Sequence, residues 1–307
     1  MWFFYKKDSA KRRVLWIENT TFAAKLEYYM AISAQDVNKL RQMTGAGMMD
    51  CKKALEEAGG DFEKAIELLR KKGQKVMASR AERDAREGAV FARTNPNKTT
   101  AIIIELNCET DFVAKNTDFL ALGNSIADAV INSLPSSLEA IAQLTVGGKL
   151  ISDILIDNMG KIGEKLEVSK YEQISGSFVA TYTHLGSRLA AAIAFENTDG
   201  ADLSEPGKEL AIQIAAMNPL AIDKEGIPKE VIDRELDIAM DQIRQEGKPE
   251  NMVEKIAQGK LRKFFDENTL LNQSYINDNG KTVSQYLKEI SPRVRVTVMK
   301  RVQLGTK

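Results

Sequence analysis

The residues whose types and order could do chemistry stand together at one point, Thr110-Asp111-Phe112-Val113-Ala114-Lys115-Asn116. A carboxylate and a large aromatic ring sit side by side directly after a strand-like run, Ala101-Ile102-Ile103-Ile104-Glu105-Leu106-Asn107-Cys108, which passes abruptly from apolar to polar residues. Residues at the end of a rigid element are aimed outward and often bind. An Asp–Phe pair there could insert a ring into another protein while offering a charge to a cation. The competing reading is an Asx-type turn and helix N-cap with Phe112 folded back into the core. The heptapeptide alone does not separate the two.

Other chemistries are poorly served. Cys51 and Cys108 are separated by 56 intervening residues with no CxxC, which fits neither the usual zinc spacings nor a disulfide scaffold and suggests reduced thiols. His184 is the one histidine in 307 residues, so a multi-histidine metal site and a Ser/His/Asp array both lack material. Gly45-Ala46-Gly47-Met48-Met49-Asp50 has Asp where a dinucleotide fingerprint needs its third glycine, and no strand precedes it. Val146-Gly147-Gly148-Lys149-Leu150 lacks the earlier glycine and the hydroxyl residue of a phosphate loop. We therefore expect no cofactor, no metal and no directly bound nucleotide. Lys+Arg and Asp+Glu balance at 43 each, so no global basic field points to DNA. No apolar run has the length of a membrane span.

These residues need elements to position them. Residues 1–29 hold six Lys/Arg against three Asp/Glu and read as an extension of doubtful relevance, without the apolar core of a secretory signal. Residues 30–73 read as three short helices: Val37, Leu40 and Met43, then Met48, Cys51, Leu55 and Ala58, then Phe62, Ala65, Ile66 and Leu69 form the stripes, broken at glycines and capped at Asp61. Residues 74–87 are charged and Ala-rich, an exposed helix or linker. From Gly88 the chain repeats itself. Gly88-Ala-Val-Phe-Ala92 aligns with Gly176-Ser-Phe-Val-Ala180 at an offset of 88, as do Thr110-Asp111 with Thr198-Asp199, and Leu122, Ile126 and Ala127 with Leu210, Ile214 and Ala215. Each copy reads as two strands and a helix, giving core subdomains over 88–175 and 176–307. Gly200 replaces Phe112 in the second copy, so only one half carries the ring. A helical hairpin over 228–268 interrupts the second copy, with Ile232, Leu236, Ala239 and Ile243 facing Val253, Ala257, Leu261 and Phe264 across Gly247-Lys248-Pro249. A short amphipathic helix over 282–290 and a strand over 293–298 follow. The expected class is α+β, with antiparallel sheets.

Thr44-Gly45-Ala46-Gly47-Met48-Met49-Asp50-Cys51-Lys52-Lys53-Ala54-Leu55, then Gly59-Gly60-Asp61, then Cys108-Glu109-Thr110-Asp111-Phe112-Val113-Ala114 resemble the elongation factor Ts family. The resemblance runs from about Met30 to near the C-terminus. It implies a guanine nucleotide exchange factor for elongation factor Tu, the GTPase that delivers aminoacyl-tRNA. It further implies an N-terminal ubiquitin-associated-like three-helix domain, a duplicated α+β core and an inserted coiled-coil hairpin. By that resemblance Thr110, Asp111, Phe112 and Val113 match the segment that dislodges Mg²⁺ from the partner: Phe112 wedges between helices, and Asp111 disturbs the groups holding the metal. Lys52 matches a docking lysine, against a plain reading as a solvated helix face. His184 matches a partner-facing histidine, against an ordinary surface-turn residue, and Leu185 before Gly186 departs locally from the pattern. Some members carry a further C-terminal helical module, and little follows Val298 to form one.

The expectation is a cytoplasmic exchange factor that binds elongation factor Tu in its GDP-bound and nucleotide-free forms and performs no chemical step. A mitochondrial setting is the alternative location, since residues 1–29 are basic. A non-catalytic interaction scaffold is the alternative function. Pairing into a homodimer, or into a heterotetramer with the partner, stays open.

Overall fold

The computed structural model describes residues 32–80 and 83–306, apart from the side chains of 76–80; the basic extension over 1–29 lies outside the described residues. The chain is α+β and divides into two units, one formed by the first helices with Ile154–Lys165, the other by 83–153 with the remainder.

In the helical unit, Ser33 starts α1 (Ala34–Thr44) with a reciprocal cap: its hydroxyl accepts from the Asp36 amide at 3.0 Å, and the Asp36 carboxylate accepts from the Ser33 amide. Gly45, at φ 66°, ends the helix in the left-handed conformation that a side chain resists. Helices α2 (Met48–Glu57) and α3 (Phe62–Arg80) complete a core of Val37, Leu40, Cys51, Ala54, Leu55 and Ala65. The sequence places the end of the third helix before Gly73, but α3 continues to Arg80. Gly73 is buried, and a Cβ there would lie 2.8 Å from the Ile156 carbonyl oxygen. The glycine therefore serves a close helix crossing rather than a stop. Met43 and Met48 also depart from expectation. Read as core, both are exposed at the helix ends flanking the 45–47 turn.

The second unit is built around two antiparallel three-stranded sheets. Strands β1 (Glu87–Thr94) and β2 (Thr100–Cys108) are followed by a single-turn helix α4 (Asp111–Ala114) and by α5 (Thr117–Ser133). A small ladder, β3 (Thr145–Val146) with β4 (Lys149–Leu150), leads into α6 (Ile151–Ile162), which from Ile154 on belongs to the helical unit, and the chain returns at β5 (Glu167–Ser175). The first sheet has the order β1-β2-β5. The same plan then recurs: β6 (Phe178–Thr183), β7 (Leu189–Glu196) and α7 (Ser204–Met217). The hairpin α8 (Lys229–Gln245) and α9 (Glu250–Asn268) follows, then β8 (Ser274–Tyr275), β9 (Asp278–Thr282), α10 (Val283–Ile290) and β10 (Arg295–Gln303). The second sheet is β6-β7-β10, so the duplication extends to a third strand that the sequence comparison does not reveal in the first copy. Strand β5 escapes because its composition, Glu-Val-Ser-Lys-Tyr-Glu-Gln-Ile-Ser, suits a half-exposed sheet edge rather than a core strand.

Strand β7 explains how the halves join. Ala190, Ala192 and Ala194 pack with Val90, Ala92, Ala101 and Ile103 of the first sheet. The alternate residues Ala191, Ile193 and Phe195 face a second core containing Leu210, Ala211 and Ile214 of α7. A strand covered on both faces reads as a continuous apolar run, as Leu-Ala-Ala-Ala-Ile-Ala-Phe does. In the hairpin, Ala239, Ile243, Val253 and Ala257 form a separate small core. Among the described residues no helix is long and apolar enough to cross a membrane.

Candidate functional site

Strand β2 is buried along its whole length, and its end delivers the Asp–Phe pair. Thr110, in extended conformation, caps α4: its hydroxyl accepts from the Val113 amide at 3.4 Å. The Cys108 thiol donates to the Thr110 carbonyl at 3.1 Å, and Glu109 pairs with Arg83 at 3.1 Å. Asn116 caps the next helix by accepting from the Asp118 amide at 2.7 Å. Two caps six residues apart fix the backbone of the turn between them.

On this turn the ring points outward. Phe112 is 84% exposed, whereas Ala114 is buried and Val113 half-buried. The N-cap half of the competing reading is therefore present, supplied by Thr110, but its buried Phe112 is not. Asp111 accepts a hydrogen bond from Lys115 at 2.6 Å, and this bond holds its carboxyl below the usual carboxylate range. The turn thus offers an exposed ring beside an ionised carboxylate whose present partner is a solvated lysine. Such an exposed pair is readily exchanged for another cation.

His184 lies in the turn joining β6 to β7. Its carbonyl accepts from the Ser187 amide at 2.9 Å, and Gly186 sits at φ 81°, the left-handed position such a turn requires. The Tyr182 hydroxyl lies 2.9 Å from His184 Nδ1. Leu185, at the apex, is 90% exposed. The turn is tied to β1 through the Ser187 carbonyl, which accepts from the Val90 amide at 2.7 Å, and through Arg188, which donates to Glu87 at 2.7 Å. Glu87 is the register partner of Cys108. The structure therefore brings the 110–113 turn and the His184 turn to the same end of the first sheet. Each presents one large exposed apolar side chain.

Lys52 belongs to the helical unit. It is solvent-exposed on α2 and pairs with Glu56 at 3.8 Å. Met48 and Met49, both exposed, precede it by four and three residues and share its face. Sequence reasoning did not foresee that Leu185, Met48 and Met49 stand exposed. A helical stripe cannot tell which methionines lie past the edge of the core, and Leu185 carries no signal beyond an apolar residue in a turn.

Among the described residues no group of three or more His, Cys, Asp or Glu side chains is placed to hold a metal ion. The sequence model of elongation factor Ts matches residues 109–306, beginning beside the exposed turn. The chain is 50% identical over 276 residues to elongation factor Ts of Amoebophilus asiaticus, covering 90% of this chain and 100% of that protein. It belongs to the elongation factor Ts family. Elongation factor Ts of Christiangramia forsetii is 50% identical over 275 residues, 89% of this chain and 99% of its own length. That of Porphyromonas gingivalis is 44% identical over 277 residues, 90% and 99%. These matches are longer than the 109–306 segment, so the likeness to elongation factor Ts extends beyond it.

Proposed function

We propose that the chain is a guanine nucleotide exchange factor that binds elongation factor Tu and promotes GDP release, in the cytoplasm and by protein contact alone. The observation that carries this reading is Phe112, a large apolar side chain left almost fully exposed on a doubly capped turn. Keeping an aromatic ring in water forgoes about 2–3 kcal/mol of burial, on the order of 25 cal/mol per Å², which a partner's groove would recover. In this reading Phe112 enters between helices of the GTPase, with Thr110 and Val113 fixing its approach. Asp111 exchanges Lys115 for a group near the partner's metal. Mg²⁺ demands near-ideal octahedral geometry, so a small displacement of its ligands weakens the hold on the nucleotide's phosphates.

The face carrying Lys52, Met48 and Met49 docks the helical unit on the partner, and His184 with Leu185 adds a contact beside the Phe112 turn. Release is accelerated because the exchanger binds the nucleotide-free partner better than the GDP-bound one. That coupling is reciprocal: GDP must weaken binding of this chain by the same factor that this chain weakens GDP. Calorimetric titration into nucleotide-free and GDP-loaded elongation factor Tu tests the identity. Tighter binding to the nucleotide-free form, with a matching loss of GDP affinity in the complex, is expected. Equal affinity for both forms would leave a scaffold without exchange activity.

A further inference from the structure

The inter-sheet face of β2 begins apolar, with Ala101 and Ile103, and then turns polar. Glu105 and Asn107 are each 2% exposed. A buried carboxylate costs stability unless it is paired and hydrogen-bonded, so these two residues at the end of the strand that carries the Phe112 turn require a reason. Their partners supply one. Asn107 donates to Glu105 Oε1 at 2.9 Å, and the Ser169 hydroxyl donates to Asn107. Ser169 is the extra residue of an irregularity in β5, where the pairing passes from Glu105↔Lys170 to Leu106↔Val168. Bulges of this kind re-aim a strand end.

From Glu105 the network runs to the C-terminal tail. The Gly305 amide donates to Glu105 Oε1 at 3.3 Å, and Lys170 Nζ lies 3.3 Å from Glu105 Oε2. That oxygen, otherwise without a hydrogen-bond partner, depends on the lysine. Lys170 also donates to the Thr306 carbonyl and, at 3.3 Å, to the Thr306 hydroxyl. The tail in turn holds the other turn: the Leu304 amide donates to the Arg188 carbonyl at 2.9 Å, and Leu304 is buried. Gly305, at φ 74°, makes the bend that sends the chain back over Glu105. Tail, β2, β5 and the start of β7 are thus joined at the end where Phe112 and Leu185 emerge.

We propose that Ser169, Asn107, Glu105 and Lys170, with the tail over 304–306, form a positioning device that holds the Phe112 turn in register with the His184 turn. None of the four side chains touches the partner in this account. They act through the end of β2, and residues 304–306 support the two turns through their bonds to Glu105, Lys170 and Arg188. The device rests on the exchange reading for its effect on rate but not for its effect on the turn.

The test uses the full chain and two readouts. Lys170→Met removes the ion pair and the tail bonds while keeping the aliphatic stem. Lys170→Arg keeps the charge and donors. The expected result for K170M is a maximal GDP release rate reduced about tenfold or more, the scale on which small misplacements act. Its half-saturating concentration stays within about twofold. Amide hydrogen exchange over 110–115 should accelerate in K170M, and K170R should recover both readouts at least halfway. If K170M does not fold, Glu105→Gln, which keeps an acceptor for Asn107 and Gly305 but loses the ion pair, carries the same comparison. Wild-type rate and wild-type protection over 110–115 in the folded variant would overturn the proposal. So would a general loss of protection across the sheets, which is a stability effect alone. Were the wild-type protein itself inactive in release, the exchange reading would fall, while protection over 110–115 would still decide the tie.

Discussion

Replacing Phe112 with alanine separates insertion of the ring from every structural role it could play. A phenylalanine buries roughly 150–250 Å² when fully enclosed, and 84% of this residue is accessible in the free chain. Truncation to the β-carbon therefore withdraws on the order of 100 Å² from any contact the ring makes. At about 25 cal/mol per Å² this is about 2.5 kcal/mol, or roughly 70-fold in a rate limited by that contact. The free protein loses almost nothing, because exposed substitutions away from caps and cores change stability by about 0.5 kcal/mol or less. Stopped-flow release of a fluorescent GDP from elongation factor Tu gives the rate, and thermal unfolding gives the stability. The expected pattern is a fall of one to two orders of magnitude in release with an unchanged Tm. A release rate within about threefold of wild type would refute insertion, and a marked loss of Tm would show that the ring supports the fold.

Other perturbations have defined outcomes. Lys115→Ala removes the bond that lowers the Asp111 carboxyl pKa, so its titration, followed by NMR, should move up toward the ordinary range. Because the folded-state value is depressed, the pair's small contribution is present above the unfolded carboxylate pKa and lost as pH falls through the folded one; the variant should lack that loss. Tyr286, kept neutral by burial and by its hydrogen bond to Glu209, has a phenol pushed well above its ordinary value. The sign is opposite: its contribution is complete below about pH 10 and fades as pH rises above it, so Tyr286→Phe should flatten the alkaline limb of a stability–pH curve. Gly123→Ala would place a Cβ 2.1 Å from the Phe91 ring. Phe91 is itself buried, so the overpacking should cost about 1–3 kcal/mol and lower Tm by several degrees. Met48→Ser with Met49→Ser should raise the half-saturating concentration for exchange and leave the maximal rate unchanged, because docking contacts bind ground and transition states alike.

How much of this was legible before the fold depended on whether a residue's role is local. The 88-residue repeat announced two matched halves because both strands and the following helix keep their apolar positions. Yet β5 stayed hidden, because an edge strand such as Lys170-Tyr171-Glu172-Gln173 needs no apolar alternation. Gly73 looked like a helix stop, and only its approach to Ile156 from another part of the chain explains it. The Asp–Phe turn was visible as a constellation, but the exposure of Phe112 was not, since a capped turn permits either orientation of the ring. Buried polar residues on β2 carried the least signal. Glu105 and Asn107 look like ordinary alternation until Lys170 and Gly305, 65 and 200 residues away, are brought beside Glu105.

The central claim, that this chain drives nucleotide release, is met most directly by stopped-flow release of GDP from elongation factor Tu at fixed Mg²⁺, with increasing amounts of the wild-type protein. The account predicts strong acceleration that saturates with concentration and is partly suppressed by raising Mg²⁺, because the metal and the exchange turn oppose each other. Tight binding with no acceleration at any concentration would contradict it.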